Sequence, residues 1–223
     1  MKLTVIGLGL IGGSMAKDLR KARFTREITG VDANAENAAE ALRLGIIDRI
    51  DSLESAVAKA DMVIIAIPVD KVLNTLTQVL DLISDQTTVI DVGSTKKAIS
   101  EAVEDHPKRR NYVPAHPMSG TENSGPGAAL EGLFEGKINI ICDQEKTGPQ
   151  HLAFAEKMFQ VLGMDIAYMT ADEQDHSTAF ISHLPHAAAF ALAKYSFGCL
   201  VRICRTILSA KLILLCAPAP IPR

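Results

Sequence analysis

Short apolar runs alternate with stretches of helical periodicity along the first 145 residues. A continuous apolar run is typical of a strand covered on both faces, and apolar positions spaced by three and four indicate an amphipathic helix. The alternation predicts βαβ units, hence an α/β fold with a doubly wound, mostly parallel sheet. Strands are predicted at residues 3–6, 28–31, 62–67, 88–92, 112–115, 138–142 and 166–169, and helices at 10–22, 35–44, 72–83, 97–104 and 150–162.

A longer helical pattern starts at Ala171 and continues to Phe190, with Pro185 inside it. Proline removes a helical hydrogen bond and bends the chain, but the periodicity continues beyond it, so we expect a kink there. The sequence therefore predicts a domain boundary near residue 170. Residues 1–170 would form the sheet domain, and residues 171–194 the first helix of an all-helical C-terminal domain.

The composition changes after Lys194. Residues 195–223 contain no Asp or Glu and hold three of the four cysteines. The apolar segment 197–217 also carries three cations, each costing about 2.5–3.5 kcal/mol at the centre of a bilayer, which argues against a membrane span. We interpret residues 195–223 as an atypical tail produced by a shifted reading frame or a truncated gene. A genuine but unusual terminal helix is the alternative.

Bulk composition narrows the class of protein. Hydrophobic residues make up 48% of the chain, the net charge is −3, and aromatic residues are 4% with no Trp. These values argue against disorder and against a nucleic-acid-binding surface. The cysteines form no CxxC pair and no His/Cys metal spacing, so we predict no metal. The first apolar stretch is too short for a secretion signal and is broken by Gly7 and Gly9, so we expect a cytoplasmic protein.

The segment Gly7–Gly12 reads G-L-G-L-I-G, follows a predicted strand and opens a helix. This is the context of the Rossmann-type fingerprint, in which a dinucleotide's pyrophosphate lies on the helix N-terminus. Asp32 ends the second strand, where a carboxylate accepts hydrogen bonds from a ribose diol and repels a 2′-phosphate, so we predict NAD rather than NADP. The predicted cofactor-binding residues are Gly7, Leu8, Gly9, Leu10, Ile11, Gly12, Asp32, Ile67 and Pro68.

Candidate catalytic residues lie where predicted strands end, because ligands bind at the carboxyl ends of strands in open α/β sheets. His116 follows one strand, and an imidazole can act as a general base near neutral pH. A structural histidine at a strand end is the alternative. Ser94 follows another strand and could orient a substrate hydroxyl or donate to His116, or it could cap the next helix.

Four further polar residues are candidates for the substrate site. Thr121 and Glu122 lie in the loop after His116, either as pocket residues or as ordinary loop residues. His183 and His186 are three positions apart and share a helix face. A role in the core and a role in metal binding are the alternatives for this pair. Two histidines without a third ligand are weak evidence for a metal site. We prefer a donor face for an anionic substrate.

Four segments together resemble the prephenate/arogenate dehydrogenases of tyrosine biosynthesis. They are Gly7–Gly12 with Gly13-Ser14, Asp91–Lys96, His116–Glu122 with Ser124-Gly125, and Ser182–Ala187. The resemblance covers roughly residues 1–194. The first motif is common to many dehydrogenases, whereas the last two are more specific in this order and spacing.

The resemblance implies NAD-dependent oxidative decarboxylation of prephenate to 4-hydroxyphenylpyruvate. It implies that His116 accepts the proton of the ring C4 hydroxyl while hydride leaves C4, and that Ser94 holds the same hydroxyl and His116. It further implies that Thr121, Glu122, His183 and His186 line the substrate site. An arogenate-specific enzyme is an alternative within the family.

The resemblance stops at Lys194. In the family, the long helix opens a helical domain that dimerises and supplies an arginine to a substrate carboxylate. Nothing after Lys194 resembles that domain, so we do not carry the family's homodimer over to this chain. For the same reason we expect weak or no activity. There are two competing interpretations. One is a non-catalytic NAD-binding remnant, and the other is a β-hydroxyacid or imine reductase on the same fold.

Overall fold

The computed structural model describes residues 1–121, 123–184, 187–190 and 192, without the side chains of residues 182 and 183. The chain divides into two units, Met1–His176 and Ser177–Arg223. The first unit contains the whole sheet. The division lies six residues beyond the predicted boundary near 170, and the prediction of a helical C-terminal domain stays a prediction.

An eight-stranded sheet in the order β3-β2-β1-β4-β5-β6-β7-β8 forms the first unit. All neighbouring pairs are parallel except β6 and β7. The predicted α/β fold with a doubly wound, mostly parallel sheet is therefore confirmed. The strands are β1 Lys2–Ile6, β2 Glu27–Val31, β3 Arg49–Ile50, β4 Met62–Ile65, β5 Thr88–Asp91, β6 Tyr112–Pro117, β7 Ile138–Cys142 and β8 Asp165–Met169.

The helices connect these strands and cover both faces of the sheet. They are α1 Leu10–Lys21, α2 Ala35–Arg43, α3 Leu53–Val57, α4 Val69–Leu82, α5 Lys97–Ala102, α6 Pro149–Val161 and α7 Ala171–Thr178. Strand β4 illustrates why the sheet needs both layers. Its residues are all buried, and Met62 and Ile64 pack into one apolar cluster while Val63 and Ile65 pack into the other. Successive side chains of a strand point to opposite faces, so an uninterrupted apolar run fits a sheet with two covered faces.

The bounds of most other elements are shifted by one to three residues, and three larger details differ from the sequence-based expectations. Strand β3 and helix α3 were not expected, because two and five residues are too short to give a periodic pattern. Strand β4 ends at Ile65 rather than at Ile67. Strand β6 continues through His116 to Pro117, because antiparallel pairing with β7 joins Ala115, His116 and Pro117 to residues 141, 140 and 139.

The second unit begins within the last turn of α7. A five-residue π-helical segment, Ala179–His183, follows α7, and residues 187–190 are helical. The predicted kink at Pro185 and the predicted atypical tail at 195–223 lie outside the described residues. No helix in the described part of the chain is long and apolar enough to cross a membrane.

Candidate active site

The glycine-rich turn between β1 and α1 is packed too closely for side chains at two of its three glycines. A Cβ on Gly7, whose φ is +91°, would lie 2.3 Å from the Ala66 carbonyl oxygen, and one on Gly12 would lie 2.0 Å from the Gly7 carbonyl oxygen. A Cβ on Gly9 would have no atom within 4 Å. The turn is therefore tight on its inner side and open at Gly9, where a ligand can approach the backbone.

A cleft of about 480 Å³ lies along this turn. Five of the nine predicted cofactor residues line it: Gly7, Gly9, Asp32, Ile67 and Pro68. The other four do not line it. Leu8 is fully buried in the core, and Leu10 and Gly12 are buried in α1, while Ile11 packs against the same core cluster. Their contribution is to set the path of the turn and the start of the helix.

Two main-chain N–H groups fix the carboxylate of Asp32. Its Oδ2 accepts a hydrogen bond from the Leu8 N–H at 2.8 Å, and its Oδ1 accepts one from the Asn34 N–H at 2.8 Å. Each carboxylate oxygen can accept further hydrogen bonds. Asp32 therefore presents a pre-oriented negative charge at the end of β2, as the position of a ribose-binding carboxylate requires.

The strand register brings the candidate segments to one edge of the sheet. Ile6 of β1 pairs with Ile65 of β4, Ile65 pairs with Asp91 of β5, and Asp91 pairs with Pro114 of β6. These four strands are parallel and are spaced by about 4.8 Å, so the row spans about 14 Å. The glycine turn, Ile67-Pro68, Ser94 and His116 all follow this row, at the carboxyl ends of the strands.

His116 is half-buried and is joined to Ser94 through Gln174 of α7. The Gln174 side-chain nitrogen Nε2 lies 2.7 Å from His116 Nδ1 and donates to the Ser94 carbonyl oxygen at 3.1 Å. Gln174 is fully buried. The structure thus links His116 to the main-chain carbonyl of Ser94 through a third residue. The predicted role of the Ser94 side chain stays a prediction.

The alternative role of Ser94 as a helix cap is wrong. Helix α5 starts at Lys97, and the carboxylate of Asp175 accepts hydrogen bonds from the N–H groups of Lys96 at 2.6 Å and Lys97 at 3.1 Å. A carboxylate satisfies the free N–H groups of a helix N-terminus and opposes its positive dipole end. Asp175 therefore takes the role considered for Ser94, and α7 holds the loop that carries Ser94.

A fully buried ion pair joins the two ends of this loop, Asp91 and Lys96. Lys96 Nζ pairs with Asp91 Oδ2, and both side chains have no exposed surface. The Tyr112 hydroxyl donates to Asp91 Oδ1 at 2.7 Å, and the Gly93 N–H donates to Oδ2 at 3.1 Å. Burial and the neighbouring Asp91 charge raise the pKa of Tyr112 well above its ordinary value, so the phenol stays a donor. The cluster fixes both ends of residues 91–96.

The predicted substrate residues are only partly within the described structure. Thr121 is exposed, and its hydroxyl accepts a hydrogen bond from the Asn123 N–H at 3.2 Å, as in an ordinary polar loop. Glu122 and His186 lie outside the described residues. The backbone of His183 belongs to the π-helical segment, but its side chain is outside the description. The substrate roles of all four stay predictions.

Sequence reasoning assigned no role to Gln174, Asp175, Lys96 or Asp91. A signal existed for the last two, since a lysine five residues after an aspartate closes the quoted motif Asp91–Lys96 at the end of an apolar strand. No local signal marks Gln174 or Asp175, because their partners lie 58 to 80 positions away in sequence. Within the described part of the chain, no group of three or more His, Cys, Asp and Glu residues could hold a metal ion.

Comparison with known proteins identifies the family. Residues 15–168 match the family model described as prephenate dehydrogenase, nucleotide-binding domain. Prephenate dehydrogenase of Bacillus subtilis is 39% identical over 197 residues, covering 86% of this chain and 53% of that protein. Cyclohexadienyl dehydrogenase of Zymomonas mobilis is 31% identical over 193 residues, covering 85% of this chain and 65% of that protein. The chain thus spans about half to two thirds of the length of these relatives.

Solved structures agree with the sequence relatives. Prephenate dehydrogenase from A. aeolicus, in complex with hydroxyphenyl propionate and NAD+, superposes with a TM-score of 0.82 at 33% identity, covering 87% of this chain and 68% of that one. Arogenate dehydrogenase of Synechocystis gives a TM-score of 0.77 at 29% identity, covering 93% and 74%. From the matched family model and these relatives together, the chain belongs to the prephenate dehydrogenase family.

Proposed function

We propose that this chain binds NAD in the cleft beside the glycine-rich turn and contributes the cofactor and base side of a prephenate dehydrogenase site. The observation that carries this proposal is the common edge of the sheet, where the glycine turn, Ile67-Pro68, the Ser94 loop and His116 follow one register row. In an open α/β sheet, this edge is where a dinucleotide and its substrate meet.

The cleft fits a dinucleotide on its own chemistry. The first turn of α1 has no side-chain cap, and Gly9 leaves its backbone open, so free N–H groups at the helix N-terminus can receive a pyrophosphate. Asp32 would accept hydrogen bonds from the adenosine ribose. NAD+ is bound by the A. aeolicus relative, and when bound it supplies the hydride acceptor.

His116 would remove the proton of the C4 hydroxyl of prephenate while hydride leaves C4 and a C4 carbonyl forms. Breaking the bond to the ring carboxylate then releases CO₂, and its electron pair makes the ring aromatic. The C4 carbonyl oxygen becomes a phenolate as these electrons enter the ring, and it takes up a proton from the His116 imidazolium to give the phenol of 4-hydroxyphenylpyruvate. Ser94 would orient the hydroxyl, and Thr121, Glu122, His183 and His186 would contact the rest of the substrate. The Synechocystis and Zymomonas relatives indicate arogenate and a broader cyclohexadienyl substrate as the alternatives.

The test combines cofactor binding with turnover on the same preparation. Calorimetry measures NAD+ binding, and NADH absorbance measures turnover of prephenate and of arogenate. We expect His116→Asn to bind NAD+ with unchanged affinity and to lose about 10²–10⁴-fold in turnover, the usual contribution of a general base. Unaltered turnover in His116→Asn would refute the role of His116 as the general base. If the parent chain does not bind NAD+, the assignment of the cleft as the NAD site is wrong. If the parent chain binds NAD+ but turns over neither substrate, it is a nucleotide-binding module without catalytic activity.

A further inference from the structure

The contacts of Gln174 bear on the chemistry of His116. One atom, Gln174 Nε2, lies 2.7 Å from His116 Nδ1 and 3.1 Å from the Ser94 carbonyl oxygen. The side chain has no exposed surface, so water does not compete for these contacts. An NH₂ group has two hydrogens, and each of the two neighbours can take one.

The Ser94 carbonyl determines which end of the amide faces the imidazole. A main-chain carbonyl is only an acceptor. If the amide were turned by 180°, Gln174 Oε1 would stand against the Ser94 oxygen, and two buried acceptors would face each other. The nitrogen end is therefore the end that satisfies Ser94, and the same nitrogen necessarily donates to His116 Nδ1.

We propose that Gln174 is a positioning residue that sets which nitrogen of His116 carries the proton. A neutral imidazole has one N–H and one lone pair in its ring plane. When Nδ1 accepts from Gln174, its lone pair is occupied and the proton must be on Nε2. The resting imidazole is then a hydrogen-bond donor at Nε2 and has no nitrogen ready to take a proton.

This inference rests on the proposed function in one respect, the role of His116 as a base. For Nε2 to accept the hydroxyl proton, the ring proton must first move to Nδ1, and Gln174 must turn its amide so that Oε1 accepts from Nδ1–H. That turn breaks the hydrogen bond to the Ser94 carbonyl. Gln174 therefore couples the protonation of His116 Nε2 to the hydrogen bond that holds the loop carrying Ser94.

The wild-type chain provides the first measurement. In ¹⁵N-labelled protein without substrate, at a pH where the ring is neutral, a through-hydrogen-bond coupling is expected between Gln174 Nε2 and His116 Nδ1. The chemical shifts should mark Nδ1 as an unprotonated acceptor and Nε2 as protonated. His116→Asn assigns the signals by removing them. A missing coupling, or a proton found on Nδ1, would overturn the proposal.

A substitution separates this role from the ordinary preference of free histidine for the Nε2–H form. Gln174→Glu replaces the donor by a carboxylate, which can only accept, so the ring proton is expected to move to Nδ1 and the two nitrogen shifts to exchange roles. Gln150→Glu is the matched control, because Gln150 Nε2 lies 3.2 Å from Nε2 of another histidine, His151. The control should leave the His116 signals unchanged.

The outcomes are independent of catalysis. If Gln174→Glu leaves the proton of His116 on Nε2, Gln174 does not set the tautomer and the proposal fails. If Gln174→Glu does not fold, the wild-type coupling and shifts still decide. A chain that does not oxidise prephenate can pass every one of these measurements, so failure of the proposed function and failure of this inference are distinguishable.

Discussion

Removing the negative charge of Asp91 should destabilise the chain more than any exposed charge change. Asp91→Asn leaves the Lys96 ammonium with no exposed surface and no counter-charge. Leaving one member of a buried ion pair uncompensated costs about 3–5 kcal/mol, out of about 5–15 kcal/mol for a typical domain. We expect a loss of this size in the free energy of unfolding, measured by urea denaturation with circular dichroism.

The geometry also predicts an asymmetry between the two partners. Lys96→Met leaves the Asp91 carboxylate with two donors, the Tyr112 hydroxyl and the Gly93 N–H. It should therefore cost less than Asp91→Asn. The double variant Asp91→Asn/Lys96→Met should lose less than the sum of the single losses, with a coupling of about 2–3 kcal/mol, at the upper end for contacting residues.

The next residue in the chain offers a matched control. Lys97 pairs with Asp172, but the two side chains are 49% and 50% exposed. Exposed pairs contribute about 0–1 kcal/mol, so Lys97→Met should shift the urea midpoint little. If both Asp91→Asn and Lys96→Met stay within about 0.5 kcal/mol of the parent, or if their losses add, the buried pair does not hold the loop as argued.

Two further predictions concern the cofactor and pH. The parent should bind NAD+ more tightly than NADP+, and Asp32→Ala should lose that preference in calorimetry; equal affinities in the parent would contradict the role of Asp32. Burial lowers the pKa of His151, whose Nδ1 lies 2.8 Å from the Thr88 hydroxyl. The unfolded chain then binds more protons, so stability should fall as pH drops below about 6.5 towards the folded pKa. His151→Gln should weaken that pH dependence in urea titrations; an unchanged dependence would contradict it.

The parts of the fold that could be predicted are those that depend on a pattern of neighbouring residues in the sequence. Strand β4 is an uninterrupted apolar run, and the turn at Gly7–Gly12 has glycines at positions 7 and 12, where close packing requires them. Strand β3 has two residues and gives no such pattern. The extension of β6 to Pro117 depends on antiparallel pairing with β7, about 25 residues away along the chain, so no local pattern could reveal it.

The site shows the same division. The position of Asp32 in the cleft could be predicted from its distance to the glycine turn along one βαβ unit, and its role towards a ribose stays a prediction. Gln174 and Asp175 could not, because each acts on residues 94–97, close to 80 positions earlier. A buried glutamine on a helix gives no sequence signal that distinguishes a partner of His116 from an ordinary core amide.

These contacts locate the support of the site in α7 rather than in the sheet alone. Gln174 holds the Ser94 carbonyl, Asp175 holds the first N–H groups of α5, and Asp172 pairs with Lys97. In the sheet, Asp91 pairs with Lys96 and accepts a hydrogen bond from the Tyr112 hydroxyl. The loop at 92–97 is thus fixed from two sides before any ligand binds, and such pre-organisation spares a binding site the cost of ordering the loop. Because one α7 side chain also contacts His116, movement of α7 would alter the Ser94 loop and the imidazole together.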